Sequence, residues 1–279
     1  MKIALFSDLH YPAIDERISG LLEARSAFYE KFIDQFLKVD AELHVSLGDL
    51  TNYGMRHELE NIYSLIGERR EFIHVLGNHD NYSMTKNELL TITGQKRYSS
   101  FETEQAIFAF LDTARELDHE CWGGWMDDEQ LDWLEHVIQN SEEKPLLIFA
   151  HHPVHNTTAG SERENGSIHP SINMRSLLHQ KKGIGMYFNG HMHCDSIVKE
   201  GNWTFVQTAA CLDQPAFRLI NIADESITVT AIDVDDETLR QNAQRIYDNI
   251  NHFTHRADAR GEHEHRNCEV SLVHASTTV

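Results

Sequence analysis

Cysteine is scarce in this chain and is not arranged in pairs. The 279 residues include four cysteines at positions 121, 194, 211 and 268, with no C-x-x-C spacing. Scattered cysteines indicate neither a disulfide framework nor a zinc site built from thiolates. We therefore expect reduced thiols in a cytoplasmic protein.

Long hydrophobic runs are also absent. No apolar stretch approaches the ~20 residues that a membrane-spanning helix requires. The N-terminal segment does not show the basic and then apolar layout of a signal peptide, because Ser7-Asp8 interrupts it too early. The sequence therefore predicts no membrane partner and no secretory leader.

Basic residues are few relative to acidic ones. The chain has 24 Lys and Arg against 44 Asp and Glu, which gives a formal net charge of -20. Such a charge repels polyanions at long range and disfavours a nucleic-acid partner. The basic residues show no clustering in the sequence, so a phosphate ligand would need positive charge from another source.

Apolar runs and helical periodicities alternate along most of the chain. Strands are predicted at 2–6, 43–47, 71–76, 96–101, 106–111, 146–150 and 185–188. Helices are predicted at 17–38, 56–67, 81–93, 127–140 and 171–180, with Asp127 as an N-cap. This order predicts an α/β protein with a parallel or mixed sheet.

The pattern changes after residue 196. Short strands without intervening helices are predicted at 197–199, 204–208, 217–222 and 227–232, which is typical of an antiparallel meander. A last helix is predicted at 237–251. Residues 252–279 are polar, rich in histidine and without periodicity, so we expect a tail that is disordered or contacts another subunit.

Five predicted strands end in residues that can bind a metal. These are Asp8 with His10, Asp49, Asn78 with His79, His151 with His152, and His191 with His193. Ligand sites of open α/β sheets lie beyond the carboxyl ends of the strands, so these side chains are expected to meet. If the backbone after the first strand stays extended, Asp8 and His10 point to the same side.

Each of these strand ends has a simpler interpretation when taken alone. Asp8 and Asp49 are also typical of turns, and 78–80 is compatible with an Asx turn. Five coincidences at strand ends favour the metal site. A donor set of Asp, Asn and His without Cys suits manganese, iron, zinc or cobalt. Its size predicts two ions, about 3.5–4 Å apart, with one bridging carboxylate.

In this order the motifs resemble the calcineurin-like metallophosphoesterase superfamily. The motifs are Asp8-Leu-His10, Gly48-Asp49, Gly77-Asn-His-Asp80, His151-His152 and Gly190-His-Met-His193. The run 124–134 is similar to a helix of its small bacterial branch, which contains class III cyclic-nucleotide phosphodiesterases and glycerophosphodiesterases. The resemblance implies a catalytic domain over 1–251, folded as a four-layer α-β-β-α sandwich of two mixed sheets flanked by helices. The late strands are expected in the second sheet.

The resemblance also implies a role for each motif residue. Asp8, His10 and His193 would hold the first metal ion. Asn78, His151 and His191 would hold the second, with His151 rather than His152 as the ligand. Asp49 would bridge the two ions, which are expected to be manganese, iron or zinc in a divalent or trivalent state. His79 would be the catalytic residue that faces the substrate phosphate.

The expected activity is hydrolysis of small phosphodiesters, such as cyclic nucleotides or glycerophosphodiesters, by a hydroxide held between the ions. The alternative activities for the same site are those of a phosphomonoesterase and of a nucleotide-sugar pyrophosphohydrolase. The sequence favours a nuclease or a non-catalytic binding scaffold less than either. His155, Asn156 and Asn52 are candidate substrate contacts. Trp122 is a candidate to stack a base or to pack in the core. Relatives that form oligomers make a homo-oligomer an open expectation.

Overall fold

A computed structural model describes residues 1–272, which form twelve strands and six α-helices. The strands are β1 (Lys2–Phe6), β2 (Leu43–Ser46), β3 (Phe72–His74), β4 (Ser99–Glu102), β5 (Ile107–Phe110), β6 (Leu146–Phe149), β7 (Gly185–Asn189), β8 (Ser196–Glu200), β9 (Trp203–Gln207), β10 (Ala216–Ile222), β11 (Ser226–Asp233) and β12 (Cys268–Ser271). The helices are α1 (Leu21–Lys38), α2 (Arg56–Ile66), α3 (Lys86–Thr93), α4 (Asp128–Ser141), α5 (Met174–Leu178) and α6 (Glu237–Tyr247). Over residues 1–272, none of these helices has the length and apolarity needed for a bilayer span.

The strands form two six-stranded mixed sheets. The first has the order β12-β11-β10-β1-β2-β3, and the second has the order β4-β5-β6-β7-β9-β8. Strands β1, β2 and β3 are parallel to one another, as are β5, β6, β7 and β9. The predicted fold class of two mixed sheets is confirmed. Because parallel neighbours point the same way, the carboxyl ends of β1, β2 and β3 lie at one edge of the first sheet, and those of β6 and β7 at one edge of the second.

Side chains alternate between two apolar layers along the central strands. Ile3 and Leu5 of β1 face the second sheet, where Phe149 stacks on Phe188 with ring centroids 5.0 Å apart. Phe6 faces the other way and packs against α1. Helices α1, α2, α3 and α6 cover the outer face of the first sheet, and α4 and α5 cover that of the second. The period-2 alternation of the strands thus builds four layers.

Several helix boundaries depend on local capping. The side chain of Asp127 accepts a hydrogen bond of 2.9 Å from the Gln130 amide, as the predicted N-cap of α4 should. Helix α1 begins at Leu21, later than predicted, because Gly20 adopts a left-handed conformation with φ 75°. The predicted helix 81–93 is divided into a short 3-10 helix, His79–Asn81, and α3. A capping box at Thr85 starts α3 as a separate helix.

The late strands do not all belong to the second sheet, so that expectation was wrong for two of them. Strands β8 and β9 extend the second sheet, but β10 pairs antiparallel with β1 in the first, with Leu5 opposite Arg218. Strand β11 follows β10 in the same sheet. Ile220 of β10 faces the core between the sheets, and Phe217 faces the outer helices. Apolar residues on both faces fit a central strand, and a meander pattern alone does not say which sheet it joins.

Residues 252–272 pack against the rest of the chain. Strand β12 pairs antiparallel with β11, and Val270 lies opposite Ile227 in the register. Phe253 and Ala259 are buried. The expectation of a disordered tail therefore fails for 252–272, because three separated apolar residues anchor it without any periodicity. Residues 273–279 of the predicted tail lie outside the described residues, and contact with another subunit stays a prediction.

A buried ion pair connects both sheets with the C-terminal segment. Arg218 on β10 is 2% exposed and donates to Asp195, which precedes β8, at 2.5 Å. It also donates to the Arg266 carbonyl oxygen. Removal of one partner of a buried ion pair leaves the other charge desolvated and unpaired. Arg218 is therefore a sensitive point of the fold.

We expect Arg218→Met to lower the free energy of unfolding by about 3–5 kcal/mol, since Asp195 would remain as an unpaired buried charge. Urea denaturation followed by tryptophan fluorescence measures this change. The control is Arg240→Met on α6, whose exposed guanidinium pairs with Asp235 and should be worth less than about 1 kcal/mol. Equal midpoints for the two variants would contradict the proposed importance of the buried pair.

Candidate metal centre

The carboxyl ends of five parallel strands converge between the two sheets. One ligand atom from each of Asp8, His10, Asp49 and His193 lies within 4.8 Å of the others. The imidazoles of His151, His152 and His191 form a second such group. The side chains predicted to meet from the sequence are therefore brought together, although they derive from both sheets.

Five of the candidate ligands have a backbone conformation that residues other than glycine rarely adopt. Positive φ angles between 48° and 69° occur at Asp8, His10, Asp49, His191 and His193. The extended backbone predicted for Asp8 and His10 was therefore wrong: β1 ends at Phe6. Such conformations cost about 1–3 kcal/mol each and persist where the surroundings impose them. Five such conformations at one place are typical of a functional site, where the surrounding loops impose the backbone geometry.

Backbone contacts hold the loops of the centre against one another. The amide of Asp8 donates to the Gly48 carbonyl at 3.1 Å, and that of His10 donates to the Asp49 carbonyl at 2.9 Å. A Cβ atom on Gly77 would lie 2.1 Å from Asp49 Oδ1, and one on Gly190 would lie 1.8 Å from Ser7 Oγ. Glycine is required at both positions because these loops pass so close together.

The first group is built around facing imidazoles of His10 and His193. Their Nε2 atoms are 3.1 Å apart, and His193 Nε2 is 3.4 Å from Asp8 Oδ1. His10 Nδ1 donates to Asn52 Oδ1 at 3.1 Å. The Asn52 amide is oriented by its own donation to the Asn251 carbonyl at 2.9 Å. A proton held on His10 Nδ1 leaves the Nε2 lone pair directed into the group.

The amide oxygen of Asn78 contacts two histidines of the second group. This oxygen is 3.1 Å from His151 Nε2 and 3.1 Å from His191 Nδ1, and these two nitrogens are 3.3 Å apart. The opposite nitrogens are occupied, since His151 Nδ1 donates to the Leu47 carbonyl and His191 Nε2 to the Asn165 carbonyl. Such carbonyl contacts fix the orientation and tautomer of metal-binding histidines.

Asp49 belongs to the first group and also faces the second. Its Oδ2 atom is 3.3 Å from His151 Nε2 and 3.9 Å from His10 Nε2. Its Oδ1 atom accepts a hydrogen bond of 2.8 Å from the amide of His79. Burial alone would raise the pKa of Asp49, but the charges of His151 and His79 hold it well below its usual value. The ionised Oδ2 atom of Asp49 therefore lies near imidazole nitrogens of both groups.

The electrostatics of the centre favour positive charge. Burial lowers the pKa of His151, but the charges of Asp49 and Asp8 outweigh this effect and raise that pKa to about 9. Burial and the neighbouring His151 lower the pKa of His191 to about 4, so His191 is a neutral electron-pair donor. Imidazole nitrogens, an amide oxygen and two buried carboxylates form a donor set that fits divalent cations of the manganese, iron and zinc type.

His152 belongs to the second group by distance but differs from its neighbours in hydrogen bonding. Its Nε2 donates to the Trp122 carbonyl at 2.8 Å, and its Nδ1 accepts from the Thr113 hydroxyl at 2.9 Å. Neither nitrogen has a free lone pair. His151, whose Nε2 faces Asn78 and Asp49, is therefore the better donor of the pair.

The centre forms the floor of an open cavity of about 530 Å³. His79 lies at its edge, with Nδ1 donating to the Asn52 carbonyl at 2.7 Å and Nε2 3.9 Å from Asp49 Oδ2. Burial lowers the pKa of His79, although the Asp49 charge opposes this shift. The walls of the cavity are formed by Tyr82, His119, Trp122, Arg163, Met192, His252, Thr254 and Arg256.

Residues 1–195 match the Calcineurin-like phosphoesterase family. This match covers more than half of the chain and includes every strand end of the centre. The chain belongs to this family. Its members are metal-dependent phosphoester hydrolases, and the resemblance predicted from the sequence motifs is confirmed.

Curated relatives of this calcineurin-like phosphoesterase include phosphodiesterases. It is 24% identical over 159 residues to the glycerophosphodiester phosphodiesterase GpdQ of Enterobacter lignolyticus, which covers 55% of this chain and 57% of that protein. It is 28% identical over 207 residues to a probable cyclic nucleotide phosphodiesterase of Rhodopseudomonas palustris, which covers 69% and 72%. The chain thus spans little more than half the length of the first relative.

Solved structures share the fold of this phosphoesterase. A dimetal phosphatase from Danio rerio superposes with a TM-score of 0.67 at 16% identity, covering 83% of this chain and 95% of that one. GAP50, the anchor in the inner membrane complex of Plasmodium, superposes with a TM-score of 0.59 at 13% identity, covering 90% and 95%. Because a phosphatase and an anchor share it, the fold alone does not specify the activity.

The three predicted substrate contacts of the phosphoesterase lie outside the cavity lining. His155 lines a neighbouring cavity of about 420 Å³, where its Nδ1 is 3.2 Å from Ser167 Oγ. The carbonyl of Asn156 accepts from Arg175 at 2.5 Å. Asn52 is fully buried, and both polar atoms of its side chain are already hydrogen-bonded. Asn52 therefore holds His10 and His79 in position and has no surface to offer a substrate.

The C-terminal segment supplies cavity residues that the sequence analysis missed. The ring of Phe253 packs 5.1 Å from His193 and 5.0 Å from His10, measured between ring centroids. Arg256 Nη1 donates to the Met192 carbonyl at 2.8 Å. His252 and Thr254 line the cavity beside them. Only the histidine content of the segment offered a signal, and histidine content does not separate a cavity wall from a solvated tail.

Proposed function

We propose that this protein hydrolyses small phosphodiesters with the help of two divalent metal ions. Asp8, His10 and His193 would hold one ion, Asn78, His151 and His191 the other, and Asp49 would bridge them. The observation that carries the proposal is the position of Asp49 Oδ2, which lies between two groups of donors at the floor of one cavity. Bound ions would neutralise charge on the phosphoryl oxygens and lower the pKa of water.

His79 is the residue proposed to serve the leaving group. Its Nδ1 proton is held by the Asn52 carbonyl, so only Nε2, which faces the cavity, can exchange a proton with a substrate. Protonated at Nε2, His79 would donate to the departing alkoxide oxygen. Asn52 sets the orientation of His79 through its carbonyl and that of His10 through its side chain. General acid assistance of this kind contributes about 10²–10⁴-fold.

The cavity suits a substrate with an alcohol on each side of the phosphorus. Its volume of about 530 Å³ lies in the range of small-molecule sites. Trp122 is 44% exposed on one wall. On the same cavity lining, Tyr82 stacks on His119 with centroids 4.6 Å apart. These flat faces can pack against a nucleobase or another planar group, and the names of the relatives agree with a diester substrate. The net charge of -20 disfavours a polymeric nucleic acid.

Hydrolysis of bis(p-nitrophenyl) phosphate by the manganese-loaded chain tests the proposal. We expect a higher kcat/KM for this diester than for p-nitrophenyl phosphate, and loss of activity when EDTA removes the metal. A preference for the monoester would favour a phosphomonoesterase. Absence of turnover with both ions bound would favour a binding scaffold. Cyclic 2′,3′- and 3′,5′-nucleotides, glycerophosphodiesters and nucleotide sugars should then be compared as natural substrates.

Two neighbouring histidines provide a matched test of the metal ligands. We expect His151→Gln to lose one of the two ions and to lower turnover by at least about 100-fold, because a bound ion stabilises the transition state by several kcal/mol. His152→Gln should retain both ions and lose about 1–3 kcal/mol of stability, because its partners Thr113 and Trp122 are left unpaired. Metal content by mass spectrometry, turnover and urea denaturation measure these effects. Metal loss in the His152 variant alone would reverse the assignment.

A further inference from the structure

The cavity walls carry a positive charge that the metal ligands do not explain. Apart from Asp49 on the floor, the Asp, Glu, Lys and Arg residues that line the cavity within 1–272 are Arg163 and Arg256. Two arginines and no further acidic residue in one cavity are notable in a chain of net charge -20. An anion that enters the cavity therefore meets cationic side chains beyond the metal centre.

Arg256 is fixed close to the centre. Its Nη1 donates at 2.8 Å to the carbonyl of Met192, the residue between His191 and His193. Its Nε and Nη2 atoms each lie 3.3 Å from a carboxylate oxygen of Asp258. The side chain of Asp258 is 79% exposed. Arg256 thus presents the Nε and Nη2 edge of its guanidinium to an exposed carboxylate.

Arg163 lines the same cavity from the long loop between β6 and α5. It is exposed, and no ion pair found over residues 1–272 includes it. The hydrogen bond and charge of Arg256, together with the weaker charge of Arg163, hold the pKa of Asp258 below its usual value. Both guanidinium groups therefore act on one carboxylate. The contacts of Asp258 with Nε and Nη2 show that the guanidinium of Arg256 pairs with an anion at this place.

We infer that Arg163 and Arg256 form a subsite for a second anionic group of the substrate, a phosphate or a carboxylate, outside the scissile diester. Guanidinium groups recognise both anions through paired hydrogen bonds. The inference rests on the proposed function and narrows its substrate class. A simple cyclic mononucleotide has one phosphate and leaves this subsite unused. A glycerophosphodiester with an acidic head group, or a nucleotide diester with an additional phosphate, fills it.

Three p-nitrophenyl diesters with the same leaving group test the subsite. Their second alcohol carries a neutral methoxy group, a carboxylate or a phosphonate in the 2-methoxyethyl, 2-carboxyethyl and 2-phosphonoethyl esters. With the manganese-loaded full chain, we expect at least one anionic ester to exceed the neutral ester in kcat/KM by about tenfold or more, mainly through KM, as for a hydrogen bond to a charged group. The stronger of the two anionic esters identifies the anion.

Variants locate the effect on the two arginines. Arg163→Gln and Arg256→Gln should each bring the ratio of anionic to neutral kcat/KM towards one. Asp258→Asn removes the competing carboxylate and should raise the ratio. Arg240→Gln on α6 is the matched loss of charge outside the cavity and should leave the ratio unchanged. A ratio near one in the unmodified chain, or an equal fall in the Arg240 variant, would overturn the inference.

A binding measurement separates this inference from the proposed function. Calorimetric titration of the manganese-loaded chain compares 3-phosphonopropionate with propylphosphonate, which lacks the carboxylate. We expect about tenfold tighter binding of the former, and we expect Arg256→Gln to remove the difference. Equal binding of both compounds would overturn the carboxylate subsite while leaving the phosphodiesterase proposal intact. If neither compound binds, the phosphate site itself is absent, and both proposals fail.

Discussion

Asp49→Asn is expected to abolish phosphodiester hydrolysis, with kcat/KM for bis(p-nitrophenyl) phosphate falling by at least about 10³-fold. Asparagine keeps the size of the side chain and an oxygen for the His79 amide. It removes the negative charge from the atom that lies 3.3 Å from His151 Nε2 and 3.9 Å from His10 Nε2. Both donor groups would lose their shared carboxylate. Turnover and metal content at matched free manganese measure the result.

Asp112→Asn is the control for this variant. Asp112 is also a buried carboxylate at the end of a parallel strand of the interior, but it pairs with Lys86 Nζ at 2.7 Å and lies outside both donor groups. Its loss should reduce stability through the unpaired Lys86 and leave the metal content unchanged. A metal content and turnover in Asp49→Asn equal to those of the unmodified chain would rule out Asp49 as the bridge.

His79→Ala should separate catalysis from metal binding. We expect this variant to keep its metal ions, because His79 Nε2 faces the cavity and is part of neither donor group. Turnover of diesters with alkyl leaving groups should fall by about 10²–10⁴-fold. Nitrophenyl esters should lose much less, because their leaving group departs without a proton.

The measurement is the dependence of turnover on the pKa of the leaving group, which should become steeper in His79→Ala. His136→Ala on α4 serves as the control, since His136 is exposed and its Nδ1 contacts the Asp132 carbonyl of its own helix. Full activity of His79→Ala on an alkyl diester would exclude the residue from the proton transfer.

The sequence was sufficient to predict which side chains gather at the centre. Donor residues after parallel strands share one edge of a sheet, so their positions follow from topology alone. The backbone conformation that produces this arrangement was not predictable from the sequence. Asp8 and His10 meet because both adopt positive φ angles that hydrogen bonds to Gly48 and Asp49 hold in place. A period-2 argument based on an extended strand cannot anticipate such a conformation.

The cavity walls were much less predictable than its floor. His155 and Asn156 follow a donor residue closely in sequence, but their chain turns away to Ser167 and Arg175. Arg256 comes from a segment without periodicity, far along the chain. Loop side chains are positioned by long-range contacts, such as the one from Arg256 to the Met192 carbonyl. Local sequence patterns do not indicate such contacts.

The centre and its cavity are built from residues spread along the chain, from Asp8 to Arg256, and this spread has a consequence for biosynthesis. A nascent polypeptide leaves the ribosome with Asp8, His10 and Asp49 long before His193 is made, and Phe253 emerges later still. Isolated carboxylates and imidazoles on an incomplete chain are weak chelators, because a preformed site rarely exists before folding. If the centre holds the proposed ions, we therefore expect the ions to bind only after His193 has been synthesised and the two sheets have come together.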